Sequence, residues 1–203
     1  MYQLAQSNDS SLRRQMRISK PLGRPTIDCA GRSYGDFEIV VLIAEGIGIT
    51  PWLSVLQQLS QREHHVLTRQ VTLIWSVRST GKQGCIINLI VFRTHTKLDI
   101  LDALLAEFQD HLTDIDCILK IYLTRDNSPD LENAVPSIKG MQLAKGRPDY
   151  ATLLREIHCE NPTTDVALGI CAHSEAILKC GNMARAFSNE QSKWAVRCER
   201  FEL

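Results

Sequence analysis

The sequence predicts an α/β protein, a parallel sheet of about five strands with helices on both faces. Three observations lead there. Strand-like apolar runs alternate along the chain with segments of helical period. The first such strand passes into a helix through a glycine-bearing joint, "AEGIGITP", Ala44–Pro51. The composition, 44% hydrophobic and 23% charged, is that of an ordinary globular domain with enough apolar residues for a core.

The elements follow in order. Residues 1–35 read as an arm, polar and Arg-bearing first, then broken by Pro21, Gly23, Pro25, Gly31 and Gly35. Residues 36–203 form the domain. Phe37–Ala44 is a strand, and Pro51–Arg62 a helix with Trp52, Val55, Leu56 and Leu59 on one face. "VTLIWSV", Val71–Val77, is a second buried strand. Asp99–His111 is helical, because Leu101, Leu104, Leu105 and Phe108 share one face. "CILKIYLT" is a third strand, and residues 126–145 read as a surface loop. "RPDYATLLREIH" is a helix with Pro148 near its start and Asp149 and Tyr150 opening it. "DVALGICA" is a fourth strand, Ser174–Phe187 a helix, and "KWAVRCERF" a last strand. Trp52 and Trp75 are assigned to core packing. The β-prone segment 79–97 does not fit the alternation and reads as an extra edge strand or a poorly packed insertion.

Composition also excludes function classes. Lys+Arg and Asp+Glu are both 23, so no bulk basic face exists for nucleic acid. No apolar run approaches the roughly 18–20 residues that span a bilayer, and no apolar core follows the early arginines as a secretory signal requires. The chain alone is therefore expected to be soluble and cytoplasmic. Seven cysteines with no C-x-x-C pair suit a reducing compartment, and the six histidines include no H-x-x-x-H pair, so no metal site is expected.

The joint carries the chemistry. Gly46 and Gly48 permit backbone angles and close approaches that side chains forbid. Thr50 suits a helix N-cap and Pro51 the first helical position. A helix starting straight after a buried strand presents free N–H groups to an anion, so a phosphate-bearing ligand is one reading. A tight turn without ligand is the other. In an open α/β sheet ligands lie beyond the carboxyl ends of the strands, which is where this joint falls.

Six landmarks together resemble one family. "SYG" at 33–35 is similar to the end of a G-P-Y-G turn, and "LIAEGIGITP" to an L-I-A-G-G-x-G-I-T-P phosphate loop. "LIWSVR" resembles a second strand, "GRPDY" a G-R-P motif, "GICAHSEA" the place of C-G-P, and "ERFEL" an acidic-aromatic ending. These are the features of the NADPH-binding domain of the ferric reductase and NADPH oxidase family, in the ferredoxin reductase-like superfamily. The resemblance runs from about Arg32 to the C-terminus and leaves 79–97 outside. It implies a ferredoxin reductase-type, Rossmann-like NADP-binding domain.

The resemblance also implies roles. Gly46, Ile47, Gly48, Ile49, Thr50 and Pro51 would hold the pyrophosphate. Arg78 would meet the adenosine half of NADPH and Arg147 its extra phosphate, since a guanidinium fork matches two oxygens. Either arginine otherwise reads as a solvated or capping side chain. Cys171, with Ala172, would lie near the nicotinamide, unless Cys171 is simply buried. Phe201 would lie against the flavin, unless it closes the core. Tyr34 would mark the hinge from a flavin domain. Glu45 stands where the family has glycine, and a carboxylate there repels a pyrophosphate unless it turns outward. Ala172-His173 and Arg32-Ser33 are two further departures.

The implied function is the NADPH-binding part of a ferric-chelate reductase-like oxidoreductase. A hydride would pass from NADPH to FAD, bound by a domain missing from this chain, then onward to ferric iron or its chelate. Haem belongs to the parent family only, whose full-length members sit in the membrane with this domain on the cytoplasmic face. Thirty-one residues before Arg32 are too few for a flavin barrel or haem helices, so the arm reads as a remnant of that link. The alternatives are a fragment of a superoxide-producing NADPH oxidase and a truncated non-catalytic domain.

Overall fold

A computed structural model describes residues 28–61, 66–78, 115–124 and 140–199. The expected helix 99–111, the insertion 79–97, Phe201 and residues 1–27 of the arm lie outside the described residues.

The last part of the arm carries a short hairpin. Asp28–Cys29 (β1) and Arg32–Ser33 (β2) pair antiparallel across Ala30 and Gly31, both at positive φ. Cys29 is fully buried, and its thiol donates to the carbonyl of Ala195 at 3.3 Å. The Arg32 guanidinium lies 4.2 Å over the Phe37 ring and donates to the Asp36 carbonyl at 2.7 Å. Ser33 opens a 3-10 turn, Tyr34–Asp36, as a capping box: Gly35 N–H donates to its hydroxyl and Ser33 N–H to Asp36 Oδ2. Serine thus does capping work at a position where the family pattern has proline. Tyr34 is 1% exposed and packs edge-on to Trp52 at 6.3 Å, so its side chain is part of the core.

Among the described residues the main sheet has six strands, all parallel: Ile39–Glu45 (β3), Gln70–Arg78 (β4), Asp116–Thr124 (β5), Met141–Lys145 (β6), Val166–Cys171 (β7) and Trp194–Glu199 (β8). Their spatial order is β6-β5-β4-β3-β7-β8. The sixth strand is β6, which replaces the last residues of the expected loop 126–145. Among the described residues it pairs on one side only, with β5, and its side chains are exposed or half-buried. An edge strand of that kind lacks the apolar run that identifies a central one.

β3 shows why the centre was legible. Val40, Leu42 and Ala44 point to one face, Ile39, Val41 and Ile43 to the other, and all six are fully buried. Burying each of the larger side chains contributes roughly 1.5–3 kcal/mol. On the first face lies helix α1, Thr50–Gln61, through Trp52, Val55, Leu56 and Leu59. On the second lie α2, Tyr150–Glu160, and α3, Ser174–Phe187. Buried Trp52 also donates its indole N–H to the Ile43 carbonyl at 2.8 Å. Asp149 caps α2 through Ala151 N–H at 3.1 Å and the Thr152 hydroxyl at 2.7 Å.

Candidate functional site

The order of strands reverses at β3, between β4 and β7. Beyond the carboxyl ends of β3, β4 and β5 lies a cleft of about 730 Å³. Glu45, Gly46, Ser76, Arg78 and Thr124 line its strand side, and Arg147, Pro148, Tyr150, His173, Glu175, Ala176 and Lys179 its helix side. This is the switch point at which open parallel sheets take ligands.

The glycine joint folds as a 3-10 turn, Gly46–Ile49, that runs straight into α1. Gly46 has φ +55, and a Cβ built there meets nothing within 4 Å. Its glycine therefore serves the left-handed backbone, and the space above it is open. Gly48 differs. A Cβ there would collide with the carbonyl oxygen of Cys171 and stand 3.0 Å from its Sγ, so this glycine lets the turn rest on β7. Thr50 is not an N-cap. It is already helical, at φ −52 and ψ −48, and its hydroxyl donates to the Ile47 carbonyl at 2.9 Å. The turn before it has moved the start of the helical amides back to Gly46. Pro51, which has no N–H, falls just past the change from 3-10 to α. Ile47 is 74% exposed, while Ile49 packs against the α1 side of the core. Trp75 holds the turn in place by donating its indole N–H to the Gly46 carbonyl at 2.8 Å.

Glu45 is turned towards the helices. Its Oε1 accepts from the Tyr150 hydroxyl at 2.9 Å and its Oε2 from His173 N–H at 3.1 Å. The His173 ring nitrogen Nδ1 also lies against Oε2. Burial pushes the Glu45 carboxyl up, but the donors from His173 and Tyr150 outweigh it and hold the group below its ordinary range. Tyr150 is pushed well up, first by burial and then by the facing carboxylate, so it stays a neutral donor. Glu45 is thus an ionised, hydrogen-bonded group in the cleft wall.

The cleft brings together three of the sequence-predicted residues, Gly46, Arg78 and Arg147. Arg78 ends β4, in register with Thr124 of β5, and Arg147 precedes α2. Ile47, Gly48, Ile49, Thr50 and Pro51 build the turn and helix start beside it. Cys171 and Ala172 do not line the cleft. Cys171 is 2% exposed under Gly48, and burial pushes its thiol up to about 11. Sequence reasoning missed Lys179, which lies 3.6 Å from Asp149, and the set of Trp75, Tyr150 and His173 that fixes Gly46 and Glu45. The available signal was Glu45 itself, since a carboxylate at that joint needs donors and His173 and Tyr150 each open a helix.

The strand–turn–helix–strand unit that carries Gly46 and Arg78 has a recognisable sequence. Residues 37–89 match the ferric reductase NAD binding domain family. With the six-stranded parallel sheet, this gives a Rossmann-like, ferredoxin reductase-type NAD-binding fold. The match supports the NADPH-binding domain of the ferric reductase family, an oxidoreductase part with a nicotinamide cofactor as ligand. No curated protein matches the chain. Among the described residues no helix is long and apolar enough to cross a membrane.

Proposed function

We propose that the protein binds NADPH in this cleft and is the NADPH-side part of a ferric-chelate reductase-type oxidoreductase. The observation that carries the reading is Gly46: a left-handed glycine with open space above it, at the mouth of a cleft bordered by Arg78 and Arg147. Main-chain amides of the turn Gly46–Ile49 suit a diphosphate, and the two guanidinium groups suit the adenosine end and its additional phosphate. The donors already engaged by Glu45 reduce the repulsion that its charge would exert on that diphosphate. The residues present therefore fit the cofactor.

Bound in this cleft, NADPH would supply a hydride for FAD held by a separate flavin domain, with ferric iron or its chelate as the proposed eventual acceptor. The residues of this chain bind and orient. Trp75 and Gly48 hold the turn, Cys171 and Ala172 are the proposed neighbours of the nicotinamide beside the cleft, and Phe201 is the proposed flavin contact. Cys171 acts by shape rather than as a nucleophile, because its thiol stays protonated.

Calorimetric titration of the full chain with NADPH and NADH tests the reading. NADPH should bind more tightly than NADH. Arg147→Ala should weaken NADPH about tenfold or more, the loss of one charge-assisted contact, and change NADH little. Absence of binding to either nucleotide refutes it. Alone, the chain should not turn over ferricyanide with NADPH, and rapid turnover without added flavoprotein refutes the dependence on a separate flavin domain.

A further inference from the structure

We propose that dinucleotide binding is coupled to proton uptake by the Glu45–His173 pair, whose imidazolium form supplies the countercharge that admits a diphosphate beside a carboxylate. The inference rests on the NADPH reading above and adds its regulation by pH.

The geometry starts from what each nitrogen faces. A carboxylate oxygen only accepts, so the His173 Nδ1 against Glu45 Oε2 carries its hydrogen. On the other side of the ring, Nε2 lies 3.8 Å from Glu175 Oε2. Both ring nitrogens therefore face carboxylates, and only the imidazolium presents a hydrogen to each. Around this ring stand Glu45 from β3, Tyr150 from α2, and Glu175 and Lys179 from α3 itself, with Arg147 across the cleft. Lys179 is drawn towards Asp149 at 3.6 Å, which turns part of its charge away from the carboxylates.

A diphosphate on the amides of Gly46 and its successors would lie next to the residue that His173 holds. It adds negative charge on the Glu45 side of the ring, and nearby negative charge favours the protonated imidazole. The complex then binds the proton more tightly than the free protein does. The sign follows: affinity is highest at low pH and falls as pH rises through the range where histidine gives up its proton. One coupled proton changes Kd by at most about tenfold per pH unit. Glu45 is the reason for the arrangement. With glycine at that position no carboxylate would need neutralising.

The test titrates the full chain with NADPH at pH 6, 7 and 8, for the unaltered protein, Glu45→Gln and His173→Gln. Calorimetry in two buffers of different ionisation enthalpy counts the protons taken up. The unaltered protein should lose about tenfold more affinity between pH 6 and 8 than His173→Gln, whose residual slope reports the ligand's own titration, while Glu45→Gln, with no carboxylate to neutralise, should bind more tightly than the unaltered protein at pH 8. Proton uptake in His173→Gln should fall to the ligand's own share. If all three proteins bind with the same pH dependence, the inference fails and the NADPH reading stands. If none binds at any pH, the NADPH reading fails and takes the inference with it. Should a variant not fold, NADH and the unaltered protein decide, since NADH has no group titrating in this range. Zero proton uptake on NADH binding overturns the coupling.

Discussion

Gly48→Ala isolates the contact that seats the glycine turn on the sheet. An alanine at an ordinary helical position gains roughly 0.5–1 kcal/mol over glycine, because the unfolded chain has less freedom to lose. Gly48 has no positive φ, so backbone strain does not enter. What opposes the gain is steric: the added methyl meets the Cys171 carbonyl oxygen and stands 3.0 Å from Sγ. That carbonyl belongs to β7, which is laddered to β3 at Ala44 and to β8 at Glu199. Moving it strains two pairs of strands. Overpacking a rigid site of this kind costs typically about 1–3 kcal/mol, so the net change should be a destabilisation of about 1–2 kcal/mol. Urea denaturation followed by circular dichroism measures it. Two companions separate the causes. Gly181→Ala, in α3 with nothing within 4 Å of its Cβ, should stabilise by about 0.5–1 kcal/mol. Gly46→Ala should destabilise by about 1 kcal/mol through its left-handed backbone alone. A Gly48→Ala protein as stable as Gly181→Ala would refute the packing argument.

Other predictions concern neighbouring groups. The folded-state carboxyl of Glu45 lies below its ordinary 4.5, so its contribution to stability is complete above that pH and lost as pH falls through the lower folded value. Acid melts should therefore show the unaltered protein losing more stability below pH 4.5 than Glu45→Gln does. Trp75→Phe removes the donor to the Gly46 carbonyl, and should cost about 1 kcal/mol in urea melts and also weaken NADPH binding. Cys171, with its thiol near 11, is about one part in three thousand thiolate at pH 7.5. Peptide mapping after iodoacetamide should find exposed Cys159 modified at least a hundredfold faster than Cys171. Equal rates would show an open site at the end of β7.

The elements buried on both sides were the readable ones. Val40–Ala44 and Val166–Cys171 are runs of apolar residues because no position along them meets water, and α3 was bounded correctly at Ser174 and Phe187. Met141–Lys145 escaped because its pattern is set by its pairing with β5, which a linear reading does not see. The hairpin at Asp28–Ser33 escaped because two-residue strands have no period. At the site, Gly46, Arg78 and Arg147, singled out by residue type, line the cleft. Thr50 was misassigned, since a 3-10 turn before an α-helix shifts the first amides back by a turn. The partners of Glu45 come from Tyr150 and His173, far along the chain, and only folding brings them to it.

β3 has one flanking strand nearby, β4, and takes the other from Val166 onward. During synthesis the most water-averse run of the protein therefore emerges long before its second partner exists. Until that partner arrives, Ile39–Ala44 presents a bare row of amides and carbonyls, the kind of surface that recruits another chain. Any shortened product ending before β7 should accumulate as aggregates, whatever its affinity for nucleotide. The central strand thus ties survival in the cell to completion of about the last fifth of the chain.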